Sequence, residues 1–93
     1  ISLLVAPERR GSGIGAECVR LVLREAFERL RLVTVVAECY HHNPALAFWR
    51  RLGAQYDATE TTLPRRKWWD GRLHDAALIT FRAEGYHDAD RAA

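Results

Sequence analysis

The sequence predicts an α/β fold in the order strand, helix, strand, helix, strand, strand on a mixed sheet, parallel at its start and antiparallel at its end. Three observations carry this. An apolar, β-branched run opens the chain, and a glycine-rich loop leads from it into a segment of helical period. A second β-branched run, Val33-Thr34-Val35-Val36, follows that helix. Near the C-terminus, Asp70-Gly71 marks a turn between two further strand-like stretches.

Each element has its own signature. Ile1–Val5 reads as a buried strand, and Pro7 ends it because proline cannot donate to a ladder. Ala6–Ser12 is the loop. From Gly13 to Arg29, Ile14, Cys18, Val22 and Ala26 recur at i, i+4, and Val19, Leu23, Phe27 and Leu30 widen the stripe. Glu17, Arg20, Arg24, Glu25 and Glu28 cover the other side. Leu32–Tyr40 reads as a second central strand, broken by His41-His42-Asn43-Pro44, with Asn43 as a helix N-cap and Pro44 at the first helical position. A short helix over Ala45–Leu52 then stops at Gly53. Ala54–Leu63 and Arg72–Phe81 are strands joined by a long basic, aromatic loop, and residues 84–93 read as a frayed polar tail.

Composition narrows the function. Ninety-three residues make one domain, 48% hydrophobic and 28% charged, which is globular rather than disordered. A net charge of +2 falls short of a dedicated nucleic-acid binder. The cluster Arg65-Arg66-Lys67-Trp68-Trp69 has charge beside stacking surface, but five residues without a basic face around them are thin support for nucleic acid. Cys18 and Cys39 have no metal-ligand spacing and read as thiols in a reducing cytoplasm. No metal site, membrane span or signal peptide is visible. The chain contains no methionine and opens in mid-strand, which reads as a fragment.

The chemistry centres on Arg10-Gly11-Ser12-Gly13-Ile14-Gly15. Closely spaced glycines bare the backbone amides, and the following helix adds its unpaired first-turn N–H groups and the positive end of its dipole. Such a loop is shaped for a phosphate or diphosphate. A P-loop is excluded, because Ala16-Glu17 stand where Lys-Ser/Thr would be needed. A dinucleotide loop stays open: Gly11-x-Gly13-x-x-Ala16 fits its form, with Glu38 placed to meet a ribose, although residues 6–10 separate strand from glycine.

A third reading takes in more of the chain. Val5–Gly15 resembles the acetyl-CoA loop of the GNAT-type N-acetyltransferases, whose Gln/Arg-x-x-Gly-x-Gly/Ala pattern is met by Arg10, Gly13 and Gly15. Asn43-Pro44-Ala45 followed by Trp49-Arg50-Arg51-Leu52-Gly53 is similar to that family's asparagine-to-"Tyr-x-x-Leu-Gly-Phe" helix. Asp70–Asp75 is similar to a strand-opening motif of the branch that modifies ribosomal-protein N-termini, antibiotics and other small amines. The resemblance implies acetyl-CoA as co-substrate and an amine acceptor, either a small molecule or a protein N-terminus. It implies that the backbone of Leu3, Leu4 and Val5 holds pantetheine where two strands splay, and that a backbone N–H near Val5 polarises the thioester carbonyl. It also implies that Arg10, Gly11, Ser12, Gly13, Ile14, Gly15 and Ala16 hold the diphosphate, that Arg10, Arg50 or Arg51 reaches the 3′-phosphate, and that Asn43 contacts the cofactor.

The chain departs from the pattern in three places. The front half of the fold, which builds most of the acceptor site, does not precede Ile1. Trp49 occupies the place of a tyrosine that protonates the departing thiolate, and an indole N–H cannot serve as that acid. Water is the remaining substitute, with Tyr40 or Tyr56 a weak one. Asn43 lies six residues before Trp49, one short of the family's interval, and one residue further back is His42. Glu8 and Glu38 are nominal bases, His41 and His42 read as loop residues, and His74 as packed in the sheet. The expected unit is residues 1–83, an acetyl-CoA-binding half, with truncated sheet edges that invite a homodimer. A non-catalytic CoA-binding domain is the alternative.

Overall fold

The computed structural model describes residues 13–92. Helix α1 spans Ile14–Arg24 and continues into one wide turn, Glu25–Arg29, closed by Leu30 N–H to the Glu25 carbonyl at 2.9 Å. Arg31 takes a left-handed conformation, with φ of 58°, and turns the chain. Strand β1 follows over Thr34–Tyr40, then α2 over Leu46–Gln55, β2 over Thr59–Trp69, β3 over Arg72–Arg82 and α3 over Ala83–Ala92.

The described strands form one antiparallel sheet in the order β1-β3-β2, the last strand inserting between the other two. The expected parallel start lies outside the described residues, because it needs the strand at 1–5. Register pairs Val35 with Phe81, Ala37 with Ile79 and Cys39 with Ala77. These side chains share one face, and the period of two sends their neighbours to the other. The core lies on that face, where Val19, Leu23 and Phe27 of the first helix meet Leu46, Trp49 and Leu52 of α2. The buried side of α1 is Val19, Leu23, Ala26 and Phe27, whereas Ile14, Val22 and Leu30 of the sequence stripe are exposed.

Several boundaries differ from the sequence reading. Gly53 does not stop α2; it is buried inside it, against Ile79. The basic aromatic stretch is strand rather than long loop. β2 runs to Trp69, and Asp70 (φ 51°) and Gly71 (φ 76°) alone make a two-residue turn of the I′ kind. A bulge over 64–66 accommodates Pro64, with Arg65 left-handed at φ 53° and its N–H bonded to Asp75 Oδ1 at 2.9 Å. The polar tail is a correction too: Ala83–Ala92 is helical, and Tyr86 is buried between Phe27 and Tyr56. One aromatic anchor, with its hydroxyl donated to Glu28, fixes an otherwise polar helix.

Candidate functional site at the carboxyl end of the first strand

Only four residues, 30–33, separate the wide turn from β1. So short a return makes α1 and β1 antiparallel, which puts the N-terminus of α1 at the carboxyl end of β1. The loop into α2 starts from the same end.

Gly13 caps α1 with φ of 87° and ψ of −1°, a conformation glycine adopts without steric cost. Its carbonyl accepts Glu17 N–H at 3.0 Å. The amides of Ile14, Gly15 and Ala16 precede the first intrahelical bond and have no helical acceptor. Ile14 is exposed, while Gly15 and Ala16 are half-buried. Leu3, Leu4, Val5, Glu8, Arg10, Gly11 and Ser12 lie outside the described residues.

Asn43 is not the helix N-cap expected of it, nor is Pro44 the first helical residue: Ala45 takes the cap position two residues on, and Asn43 instead closes the turn that leads into it. Its Oδ1 accepts Ala45 N–H at 2.9 Å, its carbonyl accepts Leu46 N–H at 3.0 Å, and α2 begins at Leu46. Arg50 is engaged: Nε and Nη2 donate to both oxygens of Glu60 at 2.9 and 2.8 Å. That bond raises the Arg50 pKa and holds the Glu60 carboxyl below its usual range. Arg51 is exposed.

The nominal acids and bases fare differently. Trp49 is 6% exposed and packs edge-on to Phe48. Tyr56 is core, its phenol pushed up by burial. Glu38 accepts both Arg66 Nε and Nη2, at 3.0 and 3.2 Å, so it is not a free ribose acceptor. Cys39 is buried, and that burial pushes its thiol up.

Sequence reading missed one assembly. Just past the end of β1, His42 stacks on Trp69 with centroids 4.5 Å apart and planes 7° from parallel. Tyr40 lies 5.9 Å from His42 at 12°, and His74 approaches it at 4.4 Å, tilted 56°. His74 Nε2 is 2.9 Å from the Trp69 carbonyl oxygen, and Lys67 Nζ sits 4.9 Å over the Tyr40 ring. Loss of hydration, then the charges of His74 and Lys67, hold the His42 pKa below its usual 6.5. The two-residue turn is the one sequence signal for this cluster, since it sets Trp69 opposite Arg72 and Lys67 opposite His74.

No helix among the described residues is long and apolar enough to cross a membrane. No curated protein matches the chain by sequence. Solved structures do match in fold. A phenylalanine variant of the spermidine N-acetyltransferase SpeG from Vibrio cholerae superposes with a TM-score of 0.80 at 21% identity, over 99% of this chain and 52% of that one. A chimera of the Vibrio cholerae enzyme with hSSAT gives 0.77 at 21%, over 94% and 52%. The SpeG complex with manganese ions gives 0.76 at 21%, over 94% and 50%. The chain therefore spans about half the length of these structures, with their fold. The acetyltransferase (GNAT) family pattern matches residues 1–54, more than half of the chain and the part that carries the glycine loop, β1 and most of α2. With the motifs at Arg10–Gly15 and Asn43–Gly53 falling inside that match, the chain belongs to the GNAT acetyltransferase family.

Proposed function

We propose that residues 1–83 form the acetyl-CoA-binding half of an N-acetyltransferase that passes an acetyl group from the thioester directly to a primary amine in a ternary complex. Gly13 carries the reading. Its left-handed backbone opens α1 with three amides that lack helical acceptors, at the end of the sheet where β1 finishes and the turn at Asn43 leads into α2. A diphosphate laid there meets N–H donors and the positive end of the helix dipole. Arg10 and the Gly11–Ala16 segment hold that diphosphate, the backbone of Leu3–Val5 holds pantetheine, and Asn43 borders the cofactor.

The amine lone pair attacks the acyl carbon, the carbonyl electrons move to oxygen, and collapse breaks the C–S bond. The chain contributes orientation of the two reactants and an N–H near Val5 aimed at the developing oxyanion. Because the solved structures of this fold are named as spermidine N-acetyltransferases, small polyamines are the first acceptor class to try. Protein N-termini are the second.

Calorimetric titration with acetyl-CoA, desulfo-CoA and NAD tests the binding claim. Saturable binding of both CoA forms and none of NAD supports it; NAD binding without CoA binding overturns it. A second reading, a CoA-binding domain without catalysis, is favoured by the burial of Trp49 where the resemblance places an acid. CoA binding with no acetyl transfer to a panel of polyamines and peptides selects that reading.

A further inference from the structure

We propose that His42 is the base that takes a proton from the acceptor amine, an assignment that rests on the N-acetyltransferase reading above. It sits directly before Asn43, at the carboxyl end of β1 and therefore at the same end of the sheet as the first turn of α1.

Four of the ionisable groups around it are already engaged. Both Glu38 oxygens are taken by Arg66. Asp75 Oδ1 accepts the Arg65 amide. His74 Nε2 is engaged with the Trp69 carbonyl, and the Lys67 ammonium lies over the Tyr40 ring. The His42 ring nitrogens hydrogen-bond nothing among the described residues. Trp69 stacks on the ring's face, and the residue is exposed. Loss of hydration first, and then His74 and Lys67 beside it, disfavour an imidazolium here, so the ring is neutral near pH 7 and able to accept a proton.

The step balances. His42 takes one proton from the ammonium, and the freed lone pair forms the C–N bond. The C–S bond then breaks, and sulfur departs with the electron pair and takes a second proton from nitrogen. The products are amide and free thiol, and His42 returns its proton to solvent.

The test uses the full chain with acetyl-CoA and a panel of primary amines that includes spermidine. Wild-type kcat/KM should rise through an ionisation below pH 6.5. His42→Gln and His42→Phe should each lose that limb and about 10²–10⁴-fold in rate, while binding desulfo-CoA as the wild type does. Imidazole should partly restore His42→Ala. Phenylalanine keeps the stacking without the proton site, so a near-wild-type His42→Phe overturns the assignment, as does a retained acid limb in His42→Gln. A wild-type chain that binds desulfo-CoA and acetylates no amine also overturns it but leaves the CoA site standing. Failure to bind CoA removes the underlying reading as well.

Discussion

Gly85 lies directly against the backbone carbonyl of Tyr56, so that a β-carbon at position 85 would fall far inside van der Waals contact with that oxygen. This is how α3 comes close enough for Tyr86 to reach between Phe27 and Tyr56. Backbone cannot yield as the tip of a flexible side chain can. Gly85→Ala should therefore lower stability by about 1–3 kcal/mol, read as a drop in the urea midpoint. Gly53→Ala, whose nearest neighbour is the Ile79 side chain at 3.3 Å, should cost less.

Tyr86 gives a pH signature. Burial first, and then the Glu28 carboxylate that accepts its hydroxyl, push its phenol up to about 12 from an ordinary 10.0. The folded chain keeps this proton over a range where the unfolded chain has lost it. Its contribution is thus complete below pH 10 and disappears as pH rises towards 12. Tyr86→Phe should flatten that alkaline decline in denaturation midpoints. At neutral pH it should cost about 1 kcal/mol for the lost hydrogen bond.

The Arg66–Glu38 pair joins β2 to β1 across β3, tying two strands that share no ladder. Arg66 is 54% exposed and Glu38 28%, so solvent screens the pair. Glu38→Gln should change stability by less than about 1 kcal/mol and leave CoA affinity unaltered. A large loss of CoA binding in this variant would show that the Glu38 carboxylate reaches the ligand.

Gly13→Ala separates site from scaffold. Among the described residues nothing lies within 4 Å of the added β-carbon, so its cost there is the left-handed backbone, about 1–2 kcal/mol. If first-turn amides hold the diphosphate, relaxation of this cap should weaken CoA binding measurably by calorimetry while the far-ultraviolet circular dichroism stays unchanged.

Much of the architecture was written in local pattern. The 3.6-residue stripe gave α1, the β-branched run gave β1, and Asp70-Gly71 gave the turn, because each is decided by residues adjacent in sequence. The Asn43 side chain likewise bonds within its own neighbourhood, although it forms a turn before α2 and not the cap the sequence suggested. Residues Ala83–Ala92 carry no comparable stripe: a lone tyrosine supplies the anchor, and the hole it fills is built by Phe27 and Tyr56 from other elements. Pro64 and the cations around it argued for loop, yet a bulge bonded to Asp75 lets the strand pass through.

The sequence by itself determined the first helix, the strand after it and the Asp70-Gly71 turn, since backbone preference and side-chain period act over a few residues. Tertiary structure alone decided that β3 inserts between β1 and β2, that Glu38 is spoken for, and that His42, Trp69 and His74 form one cluster. Those are pairings between distant residues, and their partners are chosen by register and packing once the chain has closed on itself.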